Sequence, residues 1–318
     1  MNILVFGKDG QLGKAFKAIF DAMPASAQFH VKYVGRSDCD LSDEAALKKV
    51  LDSSKANFII NASAYTAVDK AETEPELAFA VNARAPELMA QYAVEYGATF
   101  FHYSTDYVFD GSKAGFYLED DQRNPLGVYG KSKAAGEVAI EQAFKGVGGQ
   151  YAIFRTSWVY GDGGNFIRTI LRLAKDREEL KIIHDQHGVP TSAQWLAKTT
   201  LELALDNDQN NQLKQFTSGI YHAVPGGETT WHGLACLAVD AALKAGASLK
   251  VNPELIRPIL AVEYPLPAPR PMNSRMNTEK LRKEIARIGD VSKLQQWSGS
   301  WEAGVQTYVQ ALVKDGLI

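Results

Sequence analysis

The chain has 318 residues, 46% of them hydrophobic and 22% charged, and its 34 Lys and Arg against 37 Asp and Glu leave a net charge of -3. That is enough chain to bury a sizeable core in one large or two modest domains, and two are expected. No window approaches the apolar run a membrane span needs, and no basic field is present to hold nucleic acid, so both classes are excluded as expectations.

Taken in chain order, the opening MNILVFGKDG reads as a strand and a turn without a basic n-region, an apolar h-region or a small-residue cleavage site. Export is not expected, and a cytoplasmic protein is. Cys39 and Cys236 stand in unrelated contexts without metal spacing, against a disulfide framework or a zinc site and in keeping with a reducing compartment. Apolar, β-branched runs recur between amphipathic stretches: NILVF (2–6), HVKYV (30–34), FIINA (58–62), TFFHYS (99–104) and YAIFRTS (151–157). The alternation predicts right-handed βαβ units and an α/β fold of Rossmann type, a doubly wound parallel sheet covered on both faces.

Directly after the first strand come Gly7, Gly10, Gln11, Leu12 and Gly13, opening a helix with Leu12, Phe16, Ile19 and Phe20 on one face. Glycines so spaced permit a tight strand-to-helix turn, close approach of backbone to a pyrophosphate and close helix packing, while the helix N-terminus offers N–H groups to the anion. Alone the spacing also fits an ordinary Gly-rich turn; flanked by two strands it predicts dinucleotide binding. After the second strand, where an NAD site places an acidic residue, stand Arg36 and Ser37. A guanidinium there suits the 2′-phosphate of NADPH, with NADH as a second acceptable cofactor, although a solvated surface arginine is the plainer alternative. Asp40 and Leu41 are placed to touch the adenine, and Ala62, Ser63 and Ala64 leave room under the nicotinamide half.

Tyr129 and Lys133 share a helix face at four-residue spacing. A free tyrosine titrates at about 10, and a nearby ammonium favours its phenolate, so the pair can transfer protons near neutrality. The strand ending at Ser104 and Thr105 delivers hydroxyls to the carboxyl edge of the sheet, where Thr105 can polarise a substrate carbonyl. Past Gly161 the strict alternation weakens into a helix at 165–175, a loop at 187–191, a late strand at 219–224, a Pro-rich loop through 265–274 and closing helices carrying Trp297 and Trp301. Residues 1–160 are expected to form the NADP-binding domain, with segments near 190–206 and 217–224 returning to it, and 161–318 mainly a substrate-binding domain.

The segments FGKDGQLG, NASAYTAVDKAE, HYSTDYVFDG, VYGKSKAAGE, FRTSWVYG, DQHGVPT and RPMNSRMNTEK together resemble the extended short-chain dehydrogenase/reductase family over essentially the whole chain. Within it they are most similar to the branch that reduces dTDP-4-keto sugars; epimerases and dehydratases place a glutamate or similar polar group where Tyr107 stands. The resemblance implies NAD(P)H reduction of the 4-keto group of dTDP-4-dehydro-β-L-rhamnose to dTDP-L-rhamnose, a sugar donor for O-antigen, with Thr105, Tyr129 and Lys133 catalytic. It implies a sugar-nucleotide pocket lined by Thr66, Ala67, Val68, Thr105, Asp106, Trp158 and Arg270, the last against the diphosphate. Core packing of Trp158 and loop packing of Thr66 and Val68 are the plainer alternatives. His184 and His187, in a loop with no partner cysteine, give no metal site. Ala15 and Gln194 stand where some relatives pair subunits through carboxylates around magnesium, so a monomer or weak homodimer is expected and magnesium stays open. The same family resembles the regulatory β subunit of methionine adenosyltransferase, a non-catalytic alternative, and nucleotide-sugar epimerases are another.

Overall fold

The computed structural model describes residues 1–24, 29–205, 213–288 and 299–318; Trp297 lies outside the described residues. In chain order the first half runs β1 (Asn2–Phe6), α1 (Gln11–Asp21), β2 (His30–Val34), α2 (Glu44–Ser54), β3 (Phe58–Asn61), α3 (Val68–Ala71), α4 (Pro75–Phe79), a π-helical turn (Ala80–Arg84), α5 (Ala85–Tyr96), β4 (Thr99–Thr105), a 3-10 turn (Asp106–Val108), α6 (Val128–Ala143) and β5 (Tyr151–Thr156). The second half holds β6 (Val159–Tyr160), α7 (Phe166–Asp176), β7 (Leu180–Ile183), β8 (His187–Gly188), β9 (Thr191–Ser192), α8 (Ala193–Ala204), β10 (Gly219–His222), β11 (Thr229–Thr230), α9 (Trp231–Lys244), β12 (Ile256–Ile259), α10 (Glu279–Ile288) and α11 (Trp301–Lys314).

The main sheet is six-stranded in the order β10-β5-β4-β3-β1-β2, and every pairing in it is parallel. From β1 the chain steps outward to β2 and then returns to the other side with β3. That reversal opens a crevice at the carboxyl ends of β1 and β3, the place where open α/β sheets bind ligands. β4 is buried at all seven positions, as a strand covered on both faces must be, and this explains the unbroken apolar reading of TFFHYST. On one face Leu12, Phe16 and Phe20 of α1 pack with Leu196, Leu201 and Leu203 of α8 and Leu281 and Ile285 of α10. On the other, Leu47 and Leu51 of α2, Leu88 and Met89 of α5 and Ile140 of α6 close the layer. A third core joins α7, α9 and α11 to Val108, Phe109 and Tyr117.

Boundaries differ from expectation for local reasons. β3 ends at Asn61, whose side chain turns back to accept from the Ser63 N–H. β4 runs on to Thr105, and β5 stops at Thr156. Asn165 is the N-cap of α7 rather than its first residue, because its carboxamide oxygen accepts from the Arg168 N–H at 3.1 Å. The expected loop at 187–191 contains β8, paired antiparallel with β11, and the start of β9, paired with β6. The late strand ends at His222, two residues early.

Candidate active site

Gly7 lies at φ +89°, and a Cβ there would come within 2.7 Å of the Ala62 backbone; a Cβ on Gly13 would meet the Gly7 carbonyl oxygen at 2.0 Å. Only glycine allows the turn and lets α1 pack this close to β1. Gly10 caps α1 without any side-chain hydrogen bond, and the first turn carries no acidic residue. The opening N–H groups therefore face the cleft with the positive end of the helix dipole behind them, which suits a diphosphate. An ion pair of Lys8 with Asp38 at 2.5 Å ties this loop to the turn after β2, and Gly35 N–H donates to the same carboxylate at 2.8 Å. Exposed Arg36 reaches the cleft from that turn.

The cleft encloses about 810 Å³. It gathers Gly7, Gly10, Gln11, Leu12, Arg36, Asp40, Leu41, Ala62, Ser63, Ala64, Thr66, Val68, Thr105, Asp106, Tyr129, Lys133 and Trp158. Four expected residues do not line it. Gly13 is under the loop as a packing position. Ser37 is exposed on the turn, and Ala67 caps α3. Arg270 is held by the Asp69 carboxylate at 2.9 Å and by its own loop through the Ala268 carbonyl at 2.7 Å.

The helix that carries Tyr129 and Lys133, α6, begins where it does because Glu72, from the segment after α3, accepts from the Val128 N–H at 2.8 Å. Behind it Asn82 of the π-helical turn donates to Ser132 Oγ at 3.0 Å, and Ser132 Oγ donates to the Tyr129 carbonyl at 2.8 Å. Desolvation of the half-buried Tyr129 pushes its phenol up to about 12; a hydrogen bond with Thr105 pulls it down, and the charge of Asp106 pushes it up. Burial pushes Lys133 down to about 8, partly offset by the charge of Glu137 one turn along. Lys133 Nζ donates to the Tyr103 carbonyl at 2.6 Å. Thr105 lies between two groups: besides Tyr129 it meets Asp106, donating to Oδ1 at 2.9 Å. Burial lifts the Asp106 carboxyl to about 6, and bonds from Ser274 and Thr105 oppose that rise.

Tyr107, read from the sequence only as a mark of the reductase branch, packs edge-on against Tyr129 at 5.4 Å between ring centroids, and sequence reasoning missed Trp231, which stacks on Trp158 at 3.8 Å and 18°. Trp158 sits at φ +47°, a conformation that costs an ordinary side chain about 1–2 kcal/mol. The stacked indoles form one wall of the cleft. No local signal links residue 231 to 158. Gln11 joins the two halves, donating to the Val159 carbonyl and accepting from Asn165, each at 3.3 Å.

A doubly wound sheet with an uncapped glycine turn at its crevice, and a Tyr-x-x-x-Lys helix beside it, defines a nicotinamide-dependent protein of the extended short-chain dehydrogenase/reductase class. The chain belongs to the family described as RmlD substrate binding domain, whose model matches residues 1–312. It is similar to the dTDP-4-dehydrorhamnose reductase of Escherichia coli K12, 41% identical over 319 residues and 98% of each chain. Among solved structures it resembles the dTDP-4-dehydrorhamnose reductase of Clostridium acetobutylicum, with TM-score 0.83 and 31% identity over 98% of this chain and 99% of that one. The Bacillus anthracis dTDP-4-dehydrorhamnose reductase in complex with NADP matches with TM-score 0.78 and 28% identity over 96% of this chain and 97% of that one. No described helix is long and apolar enough to cross a membrane.

Proposed function

We propose that this chain reduces the 4-keto group of dTDP-4-dehydro-β-L-rhamnose to dTDP-L-rhamnose with NADPH. The observation that carries the reading is the convergence of the uncapped α1 terminus, Arg36, Thr105, Tyr129 and Lys133 on one cleft. The residues present fit the cofactor: Gly7 and Gly13 open the backbone for a diphosphate, and Arg36 offers a planar cation to a 2′-phosphate. When bound, the nicotinamide supplies hydride. Tyr129 gives its phenolic proton to the substrate oxygen, Thr105 hydrogen-bonds that oxygen, and Lys133 governs the proton supply to Tyr129. Residues 1–160 hold the cofactor and 161–318 mainly the sugar nucleotide; α8 against α1 and β10 at the sheet edge support a return of those later segments to the first part. Ala15 and Gln194 support a monomer or weak homodimer without a metal bridge, and the two unpaired cysteines fit a cytoplasmic setting.

The test is incubation of purified protein with NADPH and a panel of dTDP-4-keto sugars, following loss of nicotinamide absorbance. Turnover with dTDP-4-dehydro-β-L-rhamnose is expected. Tight NADPH binding with no turnover of any member would contradict the reading and favour a non-catalytic subunit.

A further inference from the structure

Beneath the tyrosine–lysine pair lies a buried polar chain that the reduction scheme leaves unused. Asn61 of β3 and His102 of β4 are register partners across the sheet, and both are wholly buried. The Asn61 amide is oriented by a group that can only donate: the Ser63 backbone N–H points at Oδ1 from 3.2 Å, and the Ser63 hydroxyl donates to the same oxygen at 2.5 Å. Nδ2 therefore faces His102 Nδ1, at 3.0 Å. That ring nitrogen must accept, so a neutral His102 carries its proton on Nε2. Burial, together with the Lys133 charge, pushes the ring well below its ordinary range and keeps it neutral.

Nε2 in turn lies 3.2 Å from Lys133 Nζ, which also donates to the Tyr103 carbonyl at 2.6 Å. An ammonium has three donors and no acceptor, and would set an N–H against the Nε2–H. A neutral amine has one lone pair. It can accept from Nε2–H, donate to the Tyr103 carbonyl and keep one N–H for the cleft. Of the titratable groups on the packed elements, His102 of β4 meets Nζ directly, Glu137 acts on it from one turn along its own helix and is paired with Arg155 of β5 at 2.7 Å, and Tyr103, Asp106 and Tyr129 line the same cleft.

We propose that His102 is a positioning residue which, held in its Nε2–H tautomer by Asn61, donates to Lys133 Nζ and so favours the amine over the ammonium at that position. The proposal rests on the reductase reading. When Tyr129 has given its proton to the substrate oxygen, the phenolate that remains is reprotonated from the cleft, and whether an ammonium or an amine stands at Lys133 sets how readily it takes that proton.

The tautomer can be read without turnover. Long-range proton–nitrogen correlation spectra of the labelled whole chain, with His102 assigned through its backbone, are expected to show the Nε2–H form at neutral pH. An Nδ1–H ring, or an imidazolium there, overturns the proposal whatever the substrate proves to be. The second readout is the pH profile of kcat for His102→Gln, whose amide can turn its carbonyl oxygen to Nζ and favour the ammonium. The alkaline limb is expected to move up by about one pH unit, with NADPH affinity unchanged. Coincident limbs in parent and variant overturn the proposal. Absence of parent turnover with every dTDP-4-keto sugar would instead count against the reductase reading and leave the tautomer result to decide.

Discussion

Replacing Glu137 with glutamine removes the charge at the centre of the buried network that holds α6 against β4 and β5. The Glu137 carboxylate is wholly buried and accepts from Ser104 Oγ at 2.5 Å, from Arg155 at 2.9 and 2.7 Å and from Arg123 at 2.6 Å. Glutamine keeps one acceptor oxygen and turns an NH2 group toward a guanidinium, leaving Arg155 buried without its counter-charge. Breaking a buried pair in this way costs about 3–5 kcal/mol. Arg155 retains the Glu119 carbonyl at 3.2 Å and the face of Phe109 at 4.9 Å, so the lower end, about 3 kcal/mol, is expected. In urea unfolding followed by circular dichroism, a slope on the order of 3 kcal/mol per molar gives a midpoint roughly 1 M below the parent.

The pH dependence supplies a second check. Burial raises the Glu137 carboxyl, but the charges and hydrogen bonds of Arg155 and Arg123 outweigh it and hold it below its ordinary value. Its stabilisation is therefore present above the unfolded carboxylate range, near about 4.3, and is lost as pH falls through the lower folded value. The gap between parent and variant should be complete at neutral pH and close in acid. A midpoint within about 0.3 M of the parent, or a gap that ignores pH, would refute the assignment of this network as the support of α6.

Arg36→Ala should narrow the preference for NADPH over NADH, measured as the ratio of the two dissociation constants; equal affinities in the parent would remove the role given to Arg36. Asp106→Asn should stabilise the fold more at high pH than at low, because burial lifts the carboxyl to about 6. Asp106's contribution to stability is present below its unfolded value and lost as pH rises through the folded one, by up to about 3 kcal/mol, which thermal melts at two pH values can read. Magnesium and EDTA should leave the sedimentation coefficient unchanged, since Ala15 and Gln194 offer no carboxylate; a magnesium-dependent dimer would show that other residues build the bridge.

The cofactor half of the site was legible because each part is local: a strand, a glycine turn and a helix follow one another over residues 2–21, and Arg36 stands directly after the next strand. Tyr129 and Lys133 were legible for the same reason, as one helical turn. The second half resisted because β6, β8, β9 and β11 are two residues long, too short to show a period. His102 reads as one residue of an apolar strand, and nothing in its neighbours tells that its ring bridges Asn61 and Lys133. Glu137 reads as an ordinary polar helix position until Arg155 arrives from β5. Arg270 was expected against the diphosphate, and its ion pair with Asp69 was not legible because the two stand some two hundred residues apart in the chain.

The central claim is that Tyr129 is the acid that completes reduction of the 4-keto group, and Tyr129→Phe tests it with the least disturbance, since only the hydroxyl is removed. With NADPH and dTDP-4-dehydro-β-L-rhamnose, kcat is expected to fall by about 10²- to 10⁴-fold while NADPH binding and the circular dichroism spectrum stay close to the parent. A variant that keeps its rate within a few-fold of the parent would show that the proton comes from elsewhere and that the pair at Tyr129 and Lys133 is not the catalytic centre.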